Sequence, residues 1–422
     1  MAKLGIPLFV LLYSSALVAS GQQDPPLSRA EVIERERDTR AGAAHPDYPS
    51  NSEQFLRKLQ DRKTLEKITA GYAGFNARFG NLVTGAGFAV GPQWRRMDMM
   101  GGRLDGRFAV QGATSRSWKA ETQWTVPSLA GDWLYLDLGA ATRNYNRINY
   151  YGLGSRSSRT GRTNYRMEDT FWDTSLALRK LPKTLLGATL GYSWINIGPG
   201  TDVRLASTDA TYSPRQAPGI DEQSTFLRNG AFVQFDYRDN PAGPKSGGNY
   251  VLQYTWFRDR QLGRYSFRRM DVDLQQYLAL YNKTRRFAFR FRATLTGNDA
   301  GNTVPFYLMP RLGGSDDLRG YRPFRFTDRN MAVLNGEYRW EVFSGLDGAI
   351  FADTGKVFAH RGMFNAGDLE TSYGFGLRFN AKNRTFIRLD VGFSNEGYMI
   401  WFKFNDPFLP RRLGTTTGQP AY

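Results

Sequence analysis

The feature of this sequence that most limits its fold is a two-residue alternation of apolar and polar side chains, repeated in one segment after another. In residues 286–295, phenylalanine and aliphatic residues alternate mainly with arginines, and the same period recurs in residues 270–280, 387–393 and 398–404. Successive side chains of a β-strand point to opposite faces. Each of these segments is therefore predicted to be a strand with one apolar and one polar face.

The lengths of the connections distinguish a membrane barrel from a soluble sandwich. About sixteen strand candidates lie between residues 68 and 408, the first of them weak. Short connections at 127–131, 182–183, 239–247, 282–283, 344–345 and 382–383 are interleaved with long ones at 147–163, 198–224, 297–330 and 359–371. Short periplasmic turns and long external loops are typical of outer-membrane barrels. We therefore predict an all-β fold, an antiparallel transmembrane β-barrel of about sixteen strands in the outer membrane.

The two ends of the chain differ from the strand region. Residues 1–20 combine Lys3, an apolar run and small residues before Gly21, which is the pattern of a cleaved signal peptide. Residues 21–67 are charged and helix-compatible, and we predict a periplasmic segment there, with a lumen plug or a partner-docking segment as alternatives. The barrel is assigned to residues 68–408 and a polar C-terminal tail to residues 409–422.

The composition argues against catalysis and against nucleic-acid binding. The chain has no cysteine and only two histidines, His45 and His360, so thiolate metal sites are excluded and histidine-based centres are disfavoured. The net charge of +17 comes from arginines that alternate with apolar residues, not from a basic stripe or tail. We predict no enzyme activity and no cofactor, and a basic lumen and rim that face anionic lipid phosphates or anions. Outer-membrane lipid and lipopolysaccharide are the predicted lipid partners.

Three short motifs between residues 313 and 355 are the most informative part of the chain. They read Gly-Gly-Ser-Asp-Asp-Leu-Arg-Gly-Tyr at 313–321, Asn-Gly-Glu-Tyr-Arg at 335–339 and Phe-Ala-Asp-Thr-Gly at 351–355. Their order and spacing, followed by Tyr-Gly-Phe-Gly-Leu-Arg at 373–378, resemble the barrel signature of the bacterial surface antigen family. That family includes the BamA/TamA-like assembly and translocation barrels.

The resemblance implies a long external loop that folds into the lumen. In the family, an Arg-Gly-Tyr/Phe motif lies at the tip of that loop, and its arginine contacts acidic residues of nearby strands. The matching loop motif is Leu318, Arg319, Gly320 and Tyr321, and the matching luminal partners are Glu337, Arg339, Phe351, Asp353 and Gly355. Strand spacing independently allows both Glu337 and Asp353 to point into the lumen.

The resemblance also implies a function. Such a barrel aids the insertion or translocation of proteins or lipid-linked material, acting on unfolded outer-membrane proteins or with a periplasmic partner. Family members normally carry POTRA domains before the barrel, and residues 21–67 are too few for one. A passive channel or a structural barrel without assembly activity is therefore the alternative prediction.

Overall fold

The computed structural model describes residues 35, 39, 73–80, 82–280, 284–381 and 384–408. The predicted signal peptide, N-terminal segment and C-terminal tail lie outside the described residues, except for residues 35 and 39. The chain divides into two units, Met1–Phe55 and Leu56–Tyr422, and every strand belongs to the second. Within the described ranges, no helix has the length and apolar character needed to cross a bilayer.

The second unit is built from β-strands joined by turns and loops. The strands are β1 (Phe75–Gly80), β2 (Ala89–Met99), β3 (Leu104–Ala113), β4 (Trp118–Leu129), β5 (Leu134–Tyr150), β6 (Thr163–Leu178), β7 (Thr184–Pro199), β8 (Thr225–Asp236), β9 (Gly247–Asp259), β10 (Phe267–Leu280), β11 (Arg285–Asn298), β12 (Arg311–Leu312), β13 (Phe326–Thr327), β14 (Asn330–Phe343), β15 (Leu346–Phe358), β16 (Glu370–Ala381), β17 (Arg384–Ser394) and β18 (Gly397–Lys403). Short helical turns in the described loops span Arg159–Gly161, Thr208–Thr211, Phe306–Leu308, Arg361–Met363 and Ala366–Asp368.

Sixteen of the strands form one antiparallel sheet in sequence order, which curls into a nearly closed barrel. The two short strands β12 and β13 pair separately as a hairpin inside the connection between β11 and β14. The predicted all-β barrel of about sixteen strands is therefore confirmed. The strands begin at Phe75 and end at Lys403, which is inside the predicted range of 68–408.

The alternation of the sequence corresponds to the two faces of the barrel wall. On the β11–β14–β15 wall, Phe289, Leu334 and Ile350 are exposed on the outer face. The pairing of β11 with β14 places Arg290 opposite Asn335, on the inner face. Arg290 and Glu337 are both buried there. An apolar exterior around a polar interior is the arrangement that a lipid bilayer favours.

The connections lie at two ends of the barrel, which we call the turn side and the loop side. Turn-side connections span residues 100–103, 130–133, 179–183, 237–246 and 344–345, and the end of β10, the start of β11, the end of β16 and the start of β17 lie on the same side. Loop-side connections span residues 82–88, 114–117, 151–162, 200–224, 260–266, 299–329, 359–369 and 395–396. The four long connections predicted from the sequence all lie on the loop side. In outer-membrane barrels the short turns face the periplasm.

Three long loops pack together on the loop side. Phe306, from the β11–β14 loop, lies 5.0 Å from the ring of Tyr150 and 4.9 Å from that of Tyr165. Its backbone N–H donates to the carbonyl oxygen of Pro218 in the β7–β8 loop. In the β5–β6 loop, Gly154 N–H donates to the carbonyl oxygen of Thr327. The buried apolar side chains of these loops and of the adjoining strand ends, including Tyr150, Tyr165 and Phe306, form one cluster, which we call the loop cap.

The first and last strands form a weak seam. Among the described residues, β1 pairs only with β2, and β18 pairs only with β17. One aromatic contact bridges the gap, since the ring of Phe404 after β18 lies 5.6 Å from that of Phe88 before β2. On its own side of the seam, Phe404 lies 6.2 Å from the ring of Phe386 in β17. A cavity of about 930 Å³ lies at the turn side of this seam, lined by residues of β1, β2 and β17 and by residues 404–406.

Candidate functional site

The hairpin of β12 and β13 holds the segment 313–325, which contains the loop motif. Gly313 has a φ of +105°, and a Cβ on this residue would lie 2.5 Å from the carbonyl oxygen of Arg322, so the turn requires glycine. Leu318 and Tyr321 are buried against β14 and β15 in one apolar cluster. The hairpin and this cluster fix the loop motif in the lumen, against the inner face of the barrel wall.

Arg319 is the centre of the loop motif and is 1% exposed. Its Nε and Nη2 donate to the two carboxylate oxygens of Asp353 at 2.9 and 2.6 Å, which is a bidentate pair. Its Nη1 donates to Glu337, and its guanidinium lies 3.5 Å from the ring centroid of Phe351. Burial alone would lower the pKa of Arg319, but Asp353 and Glu337 outweigh it and raise that pKa above its usual value.

The main chain of the loop motif lies directly on the last two strands. The carbonyl oxygen of Arg319 accepts a 2.7 Å hydrogen bond from the indole of Trp401 in β18. A Cβ on Gly392 would lie 2.5 Å from that oxygen, and one on Gly320 would lie 2.4 Å from the carbonyl oxygen of Phe393. Only glycine at these two positions permits so close an approach of loop and wall.

Tyr321 extends the contact to the loop side of the same strands. Its hydroxyl donates to Glu370 in β16 at 2.8 Å and lies 2.9 Å from the side-chain amide of Asn395 in the β17–β18 connection. Burial is the main cause, and Glu370 the second, of a raised Tyr321 pKa, so the hydroxyl stays protonated. The loop motif therefore touches every strand from β14 to β18.

Glu337 connects the loop motif to a wider ion-pair network. Its carboxylate accepts hydrogen bonds from Arg319, from Arg339 at 2.6 Å and from Arg378 at 2.9 Å, and its side chain is fully buried. Arg378 also donates to Asp390 in β17. Removing the Glu337 charge would therefore disturb three cations at once.

The structure brings most of the predicted site residues together. Arg319, Glu337, Phe351 and Asp353 are in direct contact, and Leu318, Gly320 and Tyr321 fix the loop around them. Arg339 contacts the network through Glu337 and not through the loop itself. Gly355 lies in the wall, where β15 pairs with β14 and β16, and its close neighbours are Ala332 and Val333.

Sequence reasoning missed several residues of the network. Arg388 in β17 donates to the carbonyl oxygen of Ser315 at 2.9 Å and to Asp316 at 2.7 Å, which ties a second part of the loop to the wall. The sequence analysis also did not predict site roles for Arg378, Asp390 and Trp401. Their alternation within predicted strands indicated a luminal face but not which side chains meet across it.

Together, these observations define the chain as an outer-membrane β-barrel whose longest described loop lies in the lumen and is bound to the inner face of the wall. The sequence model of the Omp85 superfamily domain matches residues 102–405, and the chain belongs to that superfamily. No group of acidic and histidine side chains able to hold a metal ion occurs within the described part of the chain.

Solved structures share the fold. BamA from Haemophilus ducreyi, crystallised without POTRA domains 1–3, is 13% identical with a TM-score of 0.56, and the match covers 82% of this chain and 77% of that one. CdiB from Escherichia coli is 11% identical with a TM-score of 0.56, and the match covers 79% and 62%. CdiB from Acinetobacter baumannii is 12% identical with a TM-score of 0.50, and the match covers 78% and 58%. The chain thus spans about 60% of the two CdiB chains. A search of curated proteins found no match.

Proposed function

We propose that this chain inserts or translocates polypeptides, or lipid-linked material, at the outer membrane through the seam between β1 and β18. Membership of the Omp85 superfamily and the likeness to the BamA and CdiB folds support this assignment. The observation that carries it is the seam itself, because the described residues of β1 and β18 make no backbone pairing with each other.

An unpaired strand edge favours the addition of another strand. Backbone N–H and C=O groups that face hydrocarbon without partners are costly, and an incoming strand would satisfy them. The loop motif contributes by holding the last two strands, since Trp401 of β18 and Gly392 of β17 both contact the main chain of Arg319. One side of the seam is then a rigid edge, while β1 is a strand of only six residues.

A passive channel is the less well supported alternative. The loop cap and the buried loop motif place apolar and ion-paired side chains where an open pore needs water. We therefore expect the resting barrel to conduct ions poorly.

The lipid-facing wall supports a proposal for the lipid partner. Along β9, the outer face changes from Leu252 to Trp256 to Arg258 toward the loop side, and Arg268 of β10 lies opposite Trp256. An aliphatic band followed by an aromatic and then a basic residue is typical of a membrane interface. Arg258 and Arg268 are expected to contact lipopolysaccharide phosphates. Replacing both by glutamate should lower lipopolysaccharide retention during purification, and unchanged retention would argue against this contact.

The insertion activity can be tested in lipid vesicles. The folded chain is reconstituted, a urea-denatured eight-stranded outer-membrane protein is added, and its folding is followed by heat-modifiable mobility on gels. We expect faster folding than in protein-free vesicles, and equal rates would remove insertion as the function.

The role of the seam needs a second variant. The chain has no cysteine, so Phe88→Cys combined with Phe404→Cys provides a unique pair that a short thiol cross-linker can join across the seam. We expect the cross-linked barrel to fold the probe no faster than empty vesicles do. The two single variants, treated in the same way, are the controls. Full activity after cross-linking would mean that the probe does not use the seam.

A further inference from the structure

The chain does not leave the barrel wall where β18 ends at Lys403. Residues 404–408 turn into the lumen at the turn side, and the ring of Phe408 is 1% exposed. Most of the side chains that receive this segment belong to β10, β11 and β14, which are remote from β18 in the order of the sheet, and Thr385 of the neighbouring strand β17 adds one contact. The segment therefore binds to a part of the wall that is complete without it.

A carboxylate subsite lies at the middle residue of the segment, Asp406. Arg339 Nη1 and Nη2 donate to the two oxygens of Asp406 at 2.6 and 3.2 Å. The same carboxylate accepts from the backbone N–H of Phe408 at 2.8 Å and from the hydroxyl of Thr385 at 3.4 Å. Burial raises the pKa of Asp406, but Arg339 more than offsets this, and the net pKa lies below its ordinary value.

An aromatic subsite lies beside it. The ring of Phe408 packs in one buried cluster with Tyr277 and Ala288, at 6.4 Å from the tyrosine ring. The guanidinium of Arg339 lies 5.4 Å from its centroid, so one cation serves both subsites. The small side chain of Ala288, which is fully buried, contributes the third contact of this cluster.

The backbone between the two subsites is also recognised. Arg290 Nη1 donates to the carbonyl oxygen of Pro407 at 3.0 Å. Arg290 is itself held by Asp273, with a 2.9 Å contact from Nε, and Arg339 is held by Glu337. Both cations are thus fixed by wall residues and keep donors directed at the segment. A pre-positioned donor set of this kind binds a ligand at low ordering cost.

We propose that the turn-side lumen contains a peptide-binding site for a carboxylate followed two residues later by an aromatic ring. The chain's own Asp406–Phe408 segment occupies this site, and a segment of another polypeptide with the same chemistry competes for it. The competing polypeptide is a client in the sense of the proposed function, and the inference rests on that function to this extent. Displacement would free the end of β18, which lies beside the seam.

The test uses the full folded chain in detergent and a fluorescent pentapeptide with the sequence of residues 404–408, blocked at both ends. Binding is measured by anisotropy. In the wild type, the chain's own segment occupies the site. The apparent affinity for the added peptide is therefore lower, in proportion to the fraction of molecules whose site is free. Asp406→Asn and Phe408→Ala weaken the internal ligand and leave the site intact. We expect these two variants to bind the peptide about tenfold or more tightly than the wild type does.

The opposite result is expected when the site itself is changed. Arg339→Gln combined with Phe408→Ala should lose peptide binding, and so should a peptide with asparagine in place of the aspartate. Heat-modifiable mobility checks that each variant is folded, and Arg290→Gln is a second site variant should the first not fold. The proposal is overturned if the internal-ligand variants bind no tighter than the wild type, or if binding survives the site variants. The assay needs no insertion activity, so failure of vesicle folding alone would affect only the proposed function.

Discussion

Replacing Glu337 by glutamine is the perturbation with the largest expected effect on the barrel. Its carboxylate is fully buried and accepts hydrogen bonds from Arg319, Arg339 and Arg378. Removing one partner of a buried ion pair typically costs about 3–5 kcal/mol. Arg319 keeps Asp353, and the other two arginines keep acidic partners as well. We therefore expect a loss at the lower end, about 3 kcal/mol of unfolding free energy.

The assay is reversible urea unfolding of the barrel in lipid vesicles, followed by the fluorescence of its nine tryptophans. Glu341→Gln is a matched control, because Glu341 lies on the same luminal face of β14 but is exposed. We expect this control to change stability by no more than about 0.5 kcal/mol. Equal, small effects of both variants would mean that water in the lumen screens the Glu337 network, which would contradict this expectation.

Two further predictions concern the contacts of the loop and of the chain end. Gly392→Ala should destabilise the barrel by about 1–3 kcal/mol, because the added methyl group meets the carbonyl oxygen of Arg319. Gly297→Ala, where the methyl group meets open space, should change the urea midpoint little. The depressed pKa of Asp406 means that its pairing with Arg339 stabilises the fold above about pH 4 and is lost as the pH falls through the folded-state pKa. The stability difference between wild type and Asp406→Asn should therefore be constant from pH 7 to about 5 and shrink below 4, and a difference that shrinks already near pH 6 would contradict this assignment.

The sequence predicted the barrel well because a two-residue period is a direct signature of a membrane-facing wall. The alternating residues 286–295 lie in β11, with phenylalanines on the outer face and arginines on the inner face. Connections 114–117, 260–266 and 395–396 are short although they lie on the loop side. Length alone therefore could not assign every connection to a side of the membrane.

The candidate site was predictable only in part. The motif residues Arg319 and Asp353 could be chosen because the motifs around them resemble a family signature, and the structure brings the two residues into contact. The ion pair of Asp406 with Arg339 could not be predicted, because a polar residue after the last strand is equally compatible with a solvated tail. Its partner Arg339 is 67 residues away in sequence, and such pairings are fixed by the closure of the barrel rather than by any local pattern.

We propose that the buried loop motif keeps the lumen closed to ions. The conductance of the purified, folded chain in planar bilayers, compared with that of Arg319→Ala, tests this proposal. We expect a quiet wild type and a leaky variant, because the substitution removes the bidentate pair with Asp353 and the contact with Glu337. A large, steady wild-type conductance that Arg319→Ala leaves unchanged would contradict the loop lock and favour a passive pore.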